Sequence, residues 1–524
     1  MTDKAFRGLL LCAVAGALLF RFVRLDARPM HHDEANQAVK FGDLLERGEY
    51  RFDPQDHHGP TLYYLTLPAA RAAGARTLAG LDESALRAVP ALFGAGLILL
   101  FLLLSGAVSR EAVLAAGALA AVSPALTYYS RFYIQETLLV FFLAALIGAG
   151  WRYARTRSVP WAAAAGASAG LMLATKETSL ILLAGLAAAF AIVAALERLL
   201  SRHGRIATDG DAWVWRDRRV KLPSAVHVVV FLVAAAAVAA LFYSSFLRHP
   251  EGIVDAVRAV GASFTRATHP GVHAHPWTYY FRILAYPGGS GGPVRSEAFL
   301  LFLAVAGGIA SFGHETGHGA SPRFARFLLC FTVVTALVFS LIPYKTPWNV
   351  LPFYLGLVLL AGNGVALLLR ASRFKLYKIV VLAVLAPGFA NLAAQAYRAD
   401  FVDHSSPANP YAYAPTSPDL LRLIDAVERT AAAAPEKKDL LIKVVAPPDE
   451  TWPLPWYLRT FGRVGYWTSP GPALAFSGAG EPAVVISSAG FSEEIGAALG
   501  ESYDLRFFGL RPEVPLALFT KRGP

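Results

Sequence analysis

Charge is scarce in this sequence. Only 16% of its 524 residues are Asp, Glu, Lys or Arg, whereas an ordinary soluble chain carries about a quarter. A soluble chain of this length should divide into several domains with alternating polar faces, and no such alternation is seen. Cysteine is nearly missing as well: Cys12 and Cys330 both fall inside apolar segments. That argues against a disulfide framework, and no CxxC or zinc-finger spacing exists. Neither GxGxxG nor a P-loop occurs, so no nucleotide is assigned. Internal repeats are absent, and the only low-complexity tracts are Ala-rich helices.

What is present is apolar sequence in long blocks, such as Leu97–Leu104 and Val228–Phe242. Hydrophobic residues make up 55% of the chain, and the mean hydropathy is +0.45. A spanning helix needs roughly 20 mostly apolar residues. Candidates lie near 8–23, 90–108, 111–129, 133–150, 160–175, 178–196, 224–246, 297–312, 326–342, 349–369 and 376–396, about eleven in all. The expected fold class is an all-α polytopic membrane domain with a C-terminal extracytoplasmic α/β domain. No small-residue cleavage site precedes Arg21, and Gly8–Val23 reads as a retained first helix or signal anchor.

The net charge of +11 is better explained by topology than by nucleic acid. With the N-terminus in the cytoplasm and the long loops left out of the count, nineteen Lys and Arg, among them Arg110, Arg152, Arg155 and Arg370, fall in inner segments. The short outer loops then hold only Arg131, Lys176 and Lys345. This is the positive-inside pattern, and it places a multi-pass protein in the plasma or inner membrane with its C-terminus outside. Two long loops, 24–89 and 247–296, and the tail fall on the outer side. The expected domains are 1–396 in the membrane, a Pro/Ser/Tyr-rich linker at 397–418, and an α/β unit at 419–524. In that unit Ser417–Thr430 and Ser492–Leu499 read as helices. Leu440–Val445, Ala483–Ser487, Tyr503–Phe508 and Val514–Phe519 read as short strands.

The chemistry-bearing residues cluster on the outer side. The first loop opens with His31-His32-Asp33-Glu34, and adjacent carboxylates at a membrane surface suit a general base with a metal ligand, or a base with an orienting partner. The same loop holds His57-His58-Gly59-Pro60. Glu136, five residues after Arg131, sits at the membrane boundary, where an unpaired carboxylate is costly. Lys176-Glu177 and Tyr344-Lys345 occupy short outer turns at the depth where a lipid-linked phosphate arrives. His269, His273 and His275 lack the further ligands of a metal site and read as structural. His314-Glu315-Thr316-Gly317-His318 has the HExxH spacing, but it falls in a Gly-rich inner turn rather than on a helix and is rejected as a protease site.

Together these residues resemble the GT-C membrane glycosyltransferases, most nearly the family-39 branch of protein O-mannosyltransferases and aminoarabinose transferases. The likeness covers most of the chain. Asp33-Glu34 is similar to the family's acidic pair, Arg131 with Glu136 to its Arg–acid element, and Thr175-Lys176 and Lys345–Pro352 to its basic turns; Glu136 stands where the family more often has Asp. Within that superfamily the chain resembles an archaeal and bacterial polytopic group, linked in archaea to lipid-linked sugar handling. That group shares His-His-Asp-Glu, His-His-Gly-Pro and an element like Pro453–Arg459.

The resemblance implies transfer of a sugar, with inversion, from a polyprenyl-phosphate donor to a lipid, glycan or protein acceptor. Asp33 would be the base and Glu34 its orienting partner. Arg131, Lys176, Lys345 and Tyr344 would contact the donor phosphate, and Glu136 would hold Arg131 or a sugar hydroxyl. His31, His32, His57 and His58 would serve the acceptor or a metal. No cofactor is obligatory, although the histidines leave room for a divalent ion. Membrane lipids are expected partners and nucleic acid is not. Two alternatives stay open: a lipid-linked-sugar flippase or flippase-associated protein, and a non-catalytic glycan receptor. The clustering of polar residues on one face favours surface chemistry over transport.

Overall fold

The computed structural model describes residues 2–55, 58–202, 223–269, 271–285, 295–312, 321–474 and 480–522. Its helices, in chain order, are α1 (Asp3–Phe22), α2 (His32–Arg47), α3 (Thr61–Ala72), α4 (Glu83–Leu100), α5 (Arg110–Val122), α6 (Pro124–Tyr129), α7 (Glu136–Thr156), α8 (Val159–Leu173) and α9 (Ser179–Arg202). They continue with α10 (Ala225–Tyr243), α11 (Gly252–Thr268), α12 (Tyr279–Ala285), α13 (Ala298–Ala310), α14 (Pro322–Leu341), α15 (Leu351–Arg370), α16 (Lys375–Tyr397) and α17 (Asp419–Ala433). The chain forms two compact units. The first comprises Met1–Val23, Glu49–Thr66 and Arg87–Val402; the second comprises Arg24–Gly48, Leu67–Leu86 and Asp403–Pro524.

Among the described residues, eight helices are long and apolar enough to cross a membrane: α1, α4, α7, α9, α10, α14, α15 and α16. The sequence reading expected about eleven. The other three segments differ for local reasons. The segment near 111–129 is broken between α5 and α6. Pro124 disfavours helical geometry in the residue before it, so Ser123 turns extended (φ −70°, ψ 125°) and its hydroxyl caps α6 by accepting the Leu126 N–H. α8 and α13 are only 15 and 13 residues long.

Backbone-to-backbone packing holds these two short helices. A Cβ on Gly166 or Gly170 of α8 would come within 2.2 or 2.5 Å of a carbonyl oxygen of α10. A Cβ on Gly307 of α13 would lie 1.9 Å from the Leu360 carbonyl, and one on Gly364 of α15 would lie 2.1 Å from that of Leu303. Without a hydrophobic force between helices in lipid, such close approach of small residues is what holds a pair together.

In the second unit a five-stranded sheet has the order β2-β1-β3-β5-β4, with β1 (Leu441–Val445), β2 (Arg463–Trp467), β3 (Val484–Ser488), β4 (Tyr503–Arg511) and β5 (Val514–Lys521). β1 runs parallel to β2 and β3, while β5 pairs antiparallel with β3 and β4. One core packs Leu420, Leu423 and Val427 of α17 against Ile442, Val444, Ile486 and Leu518. A second packs Ile495, from the helix Ser492–Leu499, against Val445, Val485 and Phe519. The reading of the tail as alternating strands and helices is therefore met, with β2 added. β2 is a five-residue edge strand with none of its residues fully buried, and Gly465 interrupts its apolar run.

Gly364→Val is expected to wedge α13 from α15. Overpacking at a fixed backbone contact should cost about 3 kcal/mol or more, read as a lower melting temperature and loss of monodispersity in detergent.

Candidate functional site

In the second unit the fold distinguishes among the four ionisable residues at the start of α2. His31 is the N-cap: its Nδ1 accepts the Asp33 N–H at 3.1 Å. Its Nε2 lies 3.0 Å from the Tyr413 carbonyl, so the ring fits the neutral tautomer with the proton on Nε2. Glu34 closes the capping box by accepting the His31 N–H at 3.0 Å. It also takes a 2.9 Å ion pair from Arg28 and is fully buried. Both adjacent groups are thus consumed by the start of the helix. Asp33 is not: its side chain is 42% exposed, and its carboxylate comes no closer than 4.0 Å to His31 Nδ1. The His32 ring lies 6.0 Å from that of Trp452.

Residues of the tail hold this segment. Thr416 Oγ1 donates to the Met30 carbonyl at 2.8 Å, and the Met30 N–H donates to the Tyr457 hydroxyl at 2.8 Å. The element singled out around Pro453–Arg459 also grips the other loop segment of this unit. Trp456 Nε1 donates to Glu83 at 2.8 Å, and Arg459 donates to the carbonyls of Leu81 (2.6 Å) and Leu78 (3.2 Å). Arg459 stacks on Trp456 with its guanidinium carbon 3.7 Å from the ring centre. Nothing in the sequence of this element foretells that role.

In the first unit the polar residues gather at the turn between α8 and α9. Gly59 brings its backbone so close to that turn that a Cβ would sit 2.2 Å from the Ala174 carbonyl. The Thr61 N–H donates to the same carbonyl at 3.2 Å. Thr175 Oγ1 donates to Leu171 at 2.6 Å, which leaves the Thr61 hydroxyl as donor in their 2.8 Å contact. Docked in this way, His58 meets Glu177 at 2.8 Å. Burial pushes the Glu177 carboxyl up, but His58, the turn's backbone and Lys176 outweigh it and hold it below the usual carboxylate range.

Lys176 forms a buried ion pair with Glu136, the first residue of α7; the side chains are 7% and 5% exposed. Glu136 Oε2, Glu177 Oε1 and Ser179 Oγ are buried and have no hydrogen-bond partner among the described residues. Unpaired buried polar atoms cost about 1–3 kcal/mol each and are rare in folded proteins. Two carboxylate oxygens and a hydroxyl in this state call for hydroxyl or amine donors. Glu177 and Ser179 were not among the residues assigned from sequence, although Glu177 adjoins Lys176.

Arg131 and Lys345 are occupied with backbone. Arg131 Nη1 donates to the carbonyls of Phe20, Arg21 and Val23 at 2.8–3.1 Å, closing the end of α1, with its guanidinium 4.7 Å from the Phe401 ring centre. Lys345 Nζ donates to the carbonyls of His275 (3.0 Å) and Ile342, and burial lowers the pKa of its ammonium. The segment around Tyr344 pairs antiparallel with the loop at Ala274. The His273 ring sits 4.7 Å from Tyr344, and His275 stacks on Tyr279 at 4.3 Å. His57, His314, Glu315 and His318 lie outside the described residues. Among the described residues no three His, Cys, Asp or Glu side chains come together to hold a metal.

A family described as dolichyl-phosphate-mannose-protein mannosyltransferase matches residues 67–207. No curated protein matches the chain in sequence. Among solved structures, ArnT from Cupriavidus metallidurans bound to undecaprenyl phosphate is similar at a TM-score of 0.66 and 15% identity, covering 99% of each chain. The same protein in the apo state gives 0.60 and 17%, covering 99% of this chain and 100% of that one. The archaeal oligosaccharyltransferase AglB from Archaeoglobus fulgidus gives 0.52 and 14%, covering 96% of this chain and 72% of that one.

Lys176→Ala should strand Glu136 as a buried lone charge and lower stability by about 3–5 kcal/mol. The double substitution Lys176→Met with Glu136→Gln should recover most of that loss. Thermal unfolding of the three variants in one detergent measures both effects.

Proposed function

On the GT-C membrane glycosyltransferase fold, which this chain has, we propose that the protein transfers a sugar from a polyprenyl-phosphate donor to an acceptor at the outer membrane face. The fold likeness to a protein crystallised with undecaprenyl phosphate supports the donor class. The observation that carries the reading is the contrast within His31–Glu34. Glu34 is buried in a capping box and an ion pair, while Asp33 beside it stays partly open and lightly engaged.

In this reading Asp33 removes the proton from the acceptor's O–H or N–H. The freed lone pair forms the new bond to the anomeric carbon from the face opposite the phosphate. The bond from that carbon to the phosphate oxygen breaks, and the polyprenyl phosphate leaves with its electrons, so the configuration inverts. Glu34 fixes the helix start that presents Asp33. Lys176 answers the phosphate charge, and Glu136 orients it. The unpartnered oxygens of Glu136 and Glu177 and the Ser179 hydroxyl accept from sugar hydroxyls. Arg131, Lys345 and Tyr344 keep the frame around these turns.

The test supplies purified full-length protein with radiolabelled polyprenyl-phosphate sugars and candidate acceptors. Asp33→Asn should lower kcat by at least about a hundredfold with little change in melting temperature. Glu34→Gln should instead lower the melting temperature, because Arg28 loses its buried partner. Transfer that persists in Asp33→Asn would remove the base assignment. Absence of transfer with every donor, together with donor scrambling across liposomes, would replace this reading with the flippase one.

A further inference from the structure

The arginines that sequence reading assigned to topology alone do not lie scattered. Arg7 of α1, Arg110 at the start of α5, Arg152 and Arg155 near the end of α7, and Arg370 closing α15 line one cavity of about 870 Å³. Asp3 and Glu111 are the only acidic residues that line it. Each already has an arginine: Asp3 pairs with Arg110 and Glu111 with Arg370, both at 2.6 Å. The remaining three arginines face no carboxylate. Arg152 donates to the carbonyls of Leu103 (2.7 Å) and Leu102 (2.9 Å). Arg155 makes one long contact, 3.5 Å, with the Ser105 carbonyl and leans on Trp151. Arg7 has no hydrogen-bond or ion-pair partner among the described residues.

The cavity is far from the Lys176–Glu136 turn. α7 carries Glu136 at its first residue and Arg152 and Arg155 in its last turns, and its 21 residues rise roughly 30 Å. That is about the thickness of the bilayer's hydrocarbon core. The arginine cavity therefore lies at the opposite membrane face, the one that charge placement assigns to the cytoplasm.

Its walls settle what kind of anion fits. Leu11 and Leu99 line the cavity and yet are 65% and 45% exposed, as side chains turned towards acyl chains are. A soluble phosphate would gain nothing from them; a phospholipid would use both halves of the site. We propose that this cavity binds the headgroup phosphate of an anionic membrane phospholipid. Arg7 and Arg155 grip the phosphate in the planar two-pronged manner of guanidinium groups, and an acyl chain lies along Leu11 and Leu99.

The experiment uses full-length protein stripped of lipid in detergent. Phosphatidylglycerol or phosphatidylcholine is then added back, and native mass spectrometry counts the lipid retained. The wild type should retain phosphatidylglycerol in clear preference to phosphatidylcholine. Arg7→Gln with Arg155→Gln should weaken that retention about thirtyfold, and Arg7→Gln alone about fivefold, at roughly one such factor per charge near the surface. The single variant changes an exposed, unpaired side chain and keeps the test open if the double variant fails to fold. Arg373→Gln with Lys375→Gln, basic residues of the same membrane side outside the cavity, should retain lipid like the wild type.

Equal retention of the two lipids would overturn the proposal, as would wild-type retention by the double variant. An equal loss in the Arg373 and Lys375 variant would reduce it to general surface charge. Thermal protection by millimolar inorganic phosphate, without a preference for phosphatidylglycerol, would replace the lipid with a soluble phosphate.

Discussion

The ion pair between Lys176 and Glu136 lies almost out of reach of water, at a membrane boundary where a single buried charge is expensive and lipid offers no hydrogen bonds. Each charge is tolerable because the other is there, so the turn after α8 and the start of α7 are bound to one another. The same constraint governs other cations of the membrane unit. Arg131 spends a nitrogen on three carbonyls at the end of α1. Arg21, fully buried, donates to the carbonyls of Ala17, Ala120 and Ala121. In each case the cation satisfies backbone that would otherwise face an apolar surrounding, and in doing so it fixes where a helix ends.

Against that background the exceptions gain meaning. Glu136, Glu177 and Ser179 each keep one buried polar atom without a partner, all on or against one turn. Two carboxylate oxygens and a hydroxyl left open against one turn are the arrangement on which the proposed sugar site rests. Asp33 is the corresponding exception in the second unit. Its neighbours His31 and Glu34 are used up in starting α2, and tail residues Tyr413, Thr416 and Tyr457 pin the segment before it. The tail thus gains a concrete role within its own unit: it is the surface on which the acidic segment is laid out.

Much of the fold was legible in sequence. Long apolar blocks marked the eight helices long enough to cross a membrane, and period and turn chemistry located four of the five tail strands. The edge strand Arg463–Trp467 escaped because it is five residues long and Gly465 interrupts its apolar run. Eight of the eleven expected segments form helices long enough to cross a membrane, while the other three are the segment broken at Ser123-Pro124 and the short apolar helices α8 and α13, because hydropathy registers apolar length without registering a bend. The site was legible as a set of residue types and loops. The pairing of His58 with Glu177 was not, because it depends on Gly59 approaching Ala174 more closely than a side chain would allow.

Sequence by itself determined the solvent of each segment, since transfer free energy is summed along the chain and needs no knowledge of neighbours. It therefore pointed to the membrane class and to a short list of ionisable residues in the turns between apolar segments. Only the tertiary structure decided which of those residues are spoken for. Glu34 and Asp33 are chemically almost alike and adjacent, yet one closes a helix and the other does not. The arginines of the other face read as a topology signal until α1, α5, α7 and α15 bring them around one cavity. Hydrogen bonds and ion pairs act over a few ångströms, and that proximity between distant segments exists only once the chain has packed.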